Sequence, residues 1–364
     1  MIFTTDDRLW GDQAEVSGVE HAGDDRPDRG MGMASVERLR DWPEIAGQGW
    51  GSLLLGNGFS MNISSGFGYR RLFDGAELSE TAKRLFDLYD TTNFELVLER
   101  MLDAQQISAA FGFPESGLKR MAAEHDGIRE ALFAAVNDTH VRHGALSQEV
   151  LQAVAGHLRS YSRVFTTNYD LIPYWAIMSR RAEFRDMMMP SDGELLFDPA
   201  TALWSGDRTQ LLYLHGALHL WRDDWAGVTG KWTATVTGLL DLKDRYEEHP
   251  SREPLLVSEG TAKDKYAVIQ RSRYLWFALQ ELTRDTAPLV IVGSSFGEND
   301  THIVEAIKAG GAPRSIAIGI HVGRATPVQI ASRLGVLRER FEGNNVVFFD
   351  VATHPLGDPQ LNVA

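Results

Sequence analysis

Residues 52–60 read SLLLGNGFS: the run Ser52-Leu53-Leu54-Leu55 stops abruptly at Gly56-Asn57-Gly58-Phe59-Ser60. An apolar run without polar–apolar alternation fits a parallel strand buried on both faces. Glycines directly after it allow a tight strand-to-helix turn, and amides at such a turn can approach a phosphate. The pattern recurs along the chain. Arg163-Val164-Phe165-Thr166 leads into Thr167-Asn168-Tyr169-Asp170, Leu211 to Leu214 into His215-Gly216, and Leu289-Val290-Ile291-Val292 into Gly293-Ser294-Ser295. Ser315 to Ile320 and Val346 to Phe349 are two further runs.

Helical periodicity fills the intervals. Candidates are Phe94 to Ala110, Leu118 to His140, Ser147 to Leu158, Tyr266 to Leu282, Thr301 to Ala309 and Pro327 to Phe341. Strand and helix alternate, which predicts an α/β fold: a Rossmann-like, doubly wound parallel sheet of about six strands. Residues 70–160 are too long for one crossover and predict a helical insert. Residues 221–264, with Trp221, Trp225 and Trp232, predict an irregular insert or lid. Residues 1–34, Gly/Asp/Arg-rich between Gly18 and Gly32, predict a flexible leader before one domain over 35–364.

The chain has 364 residues, enough for two domains or for one large α/β unit with insertions. Its net charge of −14 argues against sequence-independent binding to duplex nucleic acid, which needs a basic face. No apolar run reaches the roughly 18 residues of a membrane helix, and no signal peptide is read, so a prokaryotic-type cytoplasm is expected. With no cysteine, disulfides, thiolate zinc sites, iron–sulfur clusters and a cysteine nucleophile are excluded.

In open α/β sheets ligands sit beyond the carboxyl ends of the strands, so the residues after each run are the informative ones. The Gly56–Ser60 loop has no lysine, hence is not a P-loop, and has no third spaced glycine for the dinucleotide fingerprint. Asn168 and Asp170 suit hydrogen bonds to ribose hydroxyls or a carboxamide, or simply cap a helix. His215 suits acid–base work near neutral pH. A metal reading pairs it with His219 and with Asp223 or Asp224, and requires that segment to be helical. Ser294 and Ser295 can donate to phosphate or ribose oxygens, while Asp300 is read as the cap of the helix starting at Thr301.

Taken in order, these motifs resemble the sirtuin superfamily, in particular its zinc-free bacterial branch of NAD hydrolases from anti-phage defence. Gly56 to Ser60 is similar to the family's GAGxS-type loop and Thr166 to Asp170 to its T-x-N-x-D segment. His215-Gly216 is similar to its catalytic pair, Gly293 to Ser295 to its ribose loop, and Ser65 to Arg71 to a degenerate form of its flexible cofactor loop. Asn57 stands where the family has alanine, and the four-cysteine zinc ribbon of deacylating members is missing.

The resemblance implies cleavage of the nicotinamide–ribose bond of NAD+ as substrate, without a metal. Asn168 and His215 would be catalytic. Gly56, Asn57, Gly58, Phe59, Ser60, Thr167, Asp170, Gly293, Ser294 and Ser295 would bind NAD. Within this, backbone amides of Gly56, Gly58 and Ser60 hold the pyrophosphate and Asp170 the carboxamide. The competing class is a non-catalytic subunit that binds NAD or ADP-ribose. The resemblance also implies control by a partner, such as a HerA-type ATPase or a nucleotide-pyrophosphatase-like protein, or by homo-oligomerisation. Apolar stripes in the insert (Phe94, Val97, Leu98, Met101, Leu102; Leu132, Phe133, Val136; Leu146, Val150, Leu151, Val154) are the expected contact surface.

Overall fold

The computed structural model describes residues 39–363 apart from 139, 141–142, 201–205, 224, 234–238, 240–241, 258–260 and 311–312. The leader over 1–34 and Asp224 therefore lie outside the described residues. The strands, in chain order, are β1 (Ser52–Leu55), β2 (Arg163–Thr166), β3 (Phe184–Arg185), β4 (Met188–Ser191), β5 (Glu194–Phe197), β6 (Thr209–Tyr213), β7 (Gly216–Asp223), β8 (Val228–Lys231), β9 (Glu253–Leu256), β10 (Leu289–Val292), β11 (Ser315–Ile320) and β12 (Asn345–Asp350).

Seven of them form a parallel sheet in the order β12–β11–β10–β1–β2–β6–β3. The six longer ones follow the doubly wound Rossmann order: two strands are added on one side of β1, and the chain then crosses over and adds three on the other. The sheet gains one strand beyond the six expected, the two-residue edge piece β3. All residues of the central strands β1 and β10 are buried, which is why their sequences are continuously apolar.

The helices begin where side chains can cap them. Asn93 accepts from the Glu95 amide at 2.9 Å at the start of Phe94–Ala110, and Thr326 forms a capping box with Gln329 at the start of Pro327–Arg340. The single helix expected over Tyr266 to Leu282 is two, Ala262–Arg271 and Arg273–Arg284. Ser272 separates them: it is extended (φ −96°, ψ 120°) and its hydroxyl accepts from the Leu275 amide.

The insert stripe is consumed inside the molecule. Phe94, Val97, Leu98, Met101, Leu132, Val136, Leu146, Leu151 and Val154 are core residues, and Leu102, Phe133 and Val150 are half-buried, so most of this stripe is covered within the chain. Among the described residues, the exposed large apolar side chains of the insert are Leu88, Tyr89, Ile107, Phe111 and Phe113.

The Trp-rich interval does not stand alone. Its β7, β8 and β9 join β4 and β5 in a five-stranded antiparallel sheet, β4–β5–β8–β7–β9. Trp221 and Trp232 are buried there, with the Arg252 guanidinium 4.0 and 4.9 Å from their rings, whereas Trp225 is almost fully exposed.

Candidate functional site

The four strands that end in chemistry lie side by side. Leu55 is in register with Val292 of β10 and with Thr166 of β2, and Thr166 with Tyr213 of β6. The loops starting at Gly293, Gly56, Thr167 and Leu214 thus leave one end of the sheet as neighbours. Asn168 and His215 stand two residues beyond paired positions on adjacent strands. The topological switch point falls between β1 and β10, the place where doubly wound sheets bind ligands.

At that switch point two backbones touch. The Gly56 amide donates to the Val292 carbonyl (2.9 Å) and the Gly58 amide to the Gly293 carbonyl (2.8 Å). A Cβ on Gly56 would lie 2.5 Å from the Gly293 oxygen, and one on Gly58 2.8 Å from the Gly293 Cα. Gly293 itself has φ +78°, a left-handed conformation that favours glycine. The glycines are there for close packing, and the amides of Gly56 and Gly58, expected to hold a pyrophosphate, are already donated within the protein.

Other residues of these loops are also placed differently from expectation. Phe59 is buried in the core and Asn57 Nδ2 donates to the Phe67 carbonyl at 3.1 Å. The stretch expected to form a flexible cofactor loop is a 3₁₀ turn, Ser65–Phe67, followed by the helix Tyr69–Gly75. Thr167 is half-buried, with its amide on the Leu55 carbonyl at 3.0 Å. Ser294 is half-buried and Ser295 exposed.

Under the first loop lies a buried relay. Asn168 Nδ2 donates to Ser60 Oγ at 2.7 Å, Ser60 Oγ donates to Asp170 Oδ2 at 2.5 Å, and Asp170 Oδ1 accepts the Ile172 amide at 2.8 Å. Asp170 therefore caps the first turn of helix Ile172–Ser179 and anchors Ser60 as well. An ionised carboxylate only accepts, so Ser60 must donate to it and accept from Asn168. That fixes the amide orientation and leaves Asn168 Oδ1, which is buried and has no partner. An unsatisfied buried acceptor costs about 1–3 kcal/mol, which a ligand hydroxyl or a water would relieve. Burial raises the Asp170 carboxyl to about 6, against the opposing pull of the Ser60 hydroxyl and the Ile172 amide.

His215 stands at the joint between the two sheets, two residues after β6 and one before β7. Its carbonyl accepts the Val257 amide at 2.9 Å. Gly216 must be glycine: φ is +80° and a Cβ would lie 1.8 Å from the Leu255 oxygen. The His215 Nε2 is 2.9 Å from the Nε2 of His302, on helix Thr301–Ala309. Two neutral imidazoles at that distance share one proton, one donating and one accepting. Burial, then His302, then the Lys265 charge hold His215 far below the ordinary imidazole value. Burial and Lys265 bring His302 down to about 3, with the Asn299 carbonyl pulling the other way. Both rings are neutral at pH 7. His302 was invisible in the sequence, because its partner is 87 positions away; its one signal is its place in the first turn after the fourth loop.

Lys265 completes the surroundings. It is fully buried, with Nζ 2.8 Å from Glu95 and 3.9 Å from Asp300. Burial works against its charge, but these carboxylates more than offset that and raise its pKa. Asp300 is thus a counter-ion; its side chain makes no capping bond to the helix it precedes. Glu99 accepts from Asn299 Nδ2 at 3.2 Å, and the Tyr169 hydroxyl donates to the Val257 carbonyl at 2.6 Å. The first turns of helix Phe94–Ala110 are thereby tied to the loops after β2, β9 and β10.

The metal reading needed a helix after His215, and the chain there is strand β7. His219 packs between Tyr174 and Tyr213, with centroids 4.5 and 5.1 Å away. Asp223 accepts from the Ala226 amide and the Ser251 hydroxyl. Among the described residues no group of three or more His, Cys, Asp or Glu is arranged to hold a metal ion, and no helix is long and apolar enough to cross a membrane.

Comparison with known proteins places the site inside a recognised unit. Residues 53–355 match the family described as Domain of unknown function (DUF4917), and the chain belongs to that family. The matched span holds all four loops, His302 and Lys265. A search of curated protein sequences gives no match. A solved structure described as "Structural Basis for the Mechanism and Regulation of Sir2 Enzymes" is similar at 14% identity and a TM-score of 0.36, over 87% of this chain and 92% of that one.

Proposed function

We propose that this protein is an NAD+ glycohydrolase, converting NAD+ and water to nicotinamide, ADP-ribose and a proton. The observation that carries the reading is the buried, unpartnered Asn168 Oδ1 two residues beyond β2, beside His215 at the equivalent position beyond β6. Breaking the nicotinamide–ribose bond leaves an oxocarbenium-like ribose, and the protein must orient that sugar and deliver one water. Asn168 Oδ1 accepts from a ribose hydroxyl or from the water. Ser60 and Asp170 hold the amide in the one orientation that presents Oδ1. His215, neutral at pH 7, takes the proton. Its Nε2 faces His302, so Nδ1 must be the bare nitrogen, Nε2 carries the ring proton, and His302 accepts it. General-base assistance of this kind is worth about 10²–10⁴-fold.

The sirtuin-like order of the motifs supports the same reading, and anti-phage defence with control by a partner chain or by oligomerisation belongs to it. The test is mass spectrometry of NAD+ incubated with the protein. Nicotinamide and ADP-ribose are expected from wild type and neither from Asn168→Ala or His215→Ala. Near-wild-type cleavage by either variant sinks the assignment, and binding of NAD+ without turnover favours the non-catalytic subunit.

A further inference from the structure

A cavity of about 200 Å³ opens at the far margin of the parallel sheet, where β3 passes into β4. It is three strands from β1, roughly 14 Å at ordinary strand spacing, so it is separate from the strand-end site. Its lining is basic: Arg181, Arg185, Arg208 and Lys231, against one acid, Asp186. Lys231 is more than nine-tenths buried and its ammonium is paired with Asp186, which uses up the acid. Lys231 also lies 5.7 Å from the Tyr174 ring, a second restraint on its position. Among the described residues, no carboxylate lies within ion-pair distance of Arg181, Arg185 or Arg208.

Three arginines without a carboxylate partner line one cavity and repel one another, and in a chain of net charge −14 that arrangement is not a by-product of general basicity. Guanidinium forks match phosphate oxygens two at a time. The remaining wall is apolar and adaptable, with Met178 and Met188 among its side chains. The volume is below the roughly 300–1,000 Å³ of sites that engulf whole ligands, so it takes a phosphate and part of the body attached to it.

We infer that this cavity binds a phosphomonoester with an apolar or aromatic body, of about nucleoside-monophosphate size. This does not depend on the NAD+ reading. The test is calorimetric titration of the full chain with adenosine monophosphate, adenosine and inorganic phosphate, at low and physiological salt. Expected are salt-sensitive binding of the monophosphate, weaker binding of phosphate and none of adenosine. Arg181→Ala/Arg208→Ala, both on exposed side chains, should weaken the monophosphate by about tenfold or more. Asn168→Ala should leave it unchanged, which separates this cavity from the strand ends. Equal affinity in the double variant, or no heat at millimolar ligand, overturns the inference. Tighter binding of duplex DNA than of the monophosphate, lost in the double variant, overturns the small-molecule assignment.

Discussion

At the amino ends of the central strands, one carboxylate holds two guanidiniums: Asp285 accepts from Arg163 Nη1 at 2.9 Å and from Arg314 Nη2, while Arg314 Nε donates to the Ala287 carbonyl at 2.7 Å. At the carboxyl ends the buried polarity is of another kind. Two imidazoles are kept neutral, a carboxyl titrates near 6, and Asn168 Oδ1 has no partner. The first arrangement neutralises ions with ions, Glu281 adding a second carboxylate 3.7 Å from Arg163, although Arg314 Nη1 is left without a partner. The second leaves hydrogen-bonding capacity unspent in a place that costs stability. On the proposed reading, the ion-paired polarity and the site's polarity are separated by the length of a strand.

The sharpest way to break that contrast is Asp285→Ala. It strands the fully buried Arg314 guanidinium, while Arg163 keeps Glu281 at 3.7 Å, and should cost about 3–5 kcal/mol in denaturant unfolding. NAD+ cleavage per folded molecule should be unchanged. His215→Ala should do the opposite, losing about 10²–10⁴-fold in cleavage while melting near wild type. If both variants were merely unstable, the division between the two ends would collapse.

His302 tests whether orientation matters beyond the presence of a base. Glutamine can accept from His215 through Oε1 and leucine cannot. His302→Gln should lose no more than about tenfold in cleavage and His302→Leu about 10–100-fold. Nitrogen chemical shifts of the His215 ring would report the tautomer directly, with the ring proton moving off Nε2 in the leucine variant.

The smallest effect is a pH dependence. Asp170 keeps its proton in the folded chain up to about 6, against 3.8 unfolded. Its contribution to stability is therefore greatest below 3.8, falls as pH rises to about 6, and is level above that. The two neutral histidines act in the other direction, lowering stability as pH falls below 6.5. Comparing wild type with Asp170→Asn by unfolding at several pH values isolates the carboxyl: the difference should vary between pH 4 and 6 and be flat above. A constant difference would mean that Asp170 is ionised throughout.

Much of the parallel sheet was legible because burial on both faces makes its strands mostly apolar, with a sharp stop at the end, as at Leu55-Gly56 and Val292-Gly293. Helix limits such as Thr301–Ala309 were readable for a comparable local reason. The antiparallel sheet was not. Its β4 contains Pro190 and β5 has four half-buried residues, so neither carries a clear period. The catalytic candidates Asn168 and His215 were visible as strand-end residues. Lys265 and His302 were not, because a buried ion pair across 170 positions and an imidazole pair across 87 have no local signature.

The contact of Gly56 and Gly58 with Gly293 binds the history of the chain as well as its shape. Added carbon at any of the three meets the backbone of another, not a side chain that could shrink in exchange. A change at one position therefore has no compensating change at the others, and the trio can only be inherited whole. Side chains around the crevice can be exchanged one at a time, but the seam between β1 and β10 admits no added carbon at any of its three glycines.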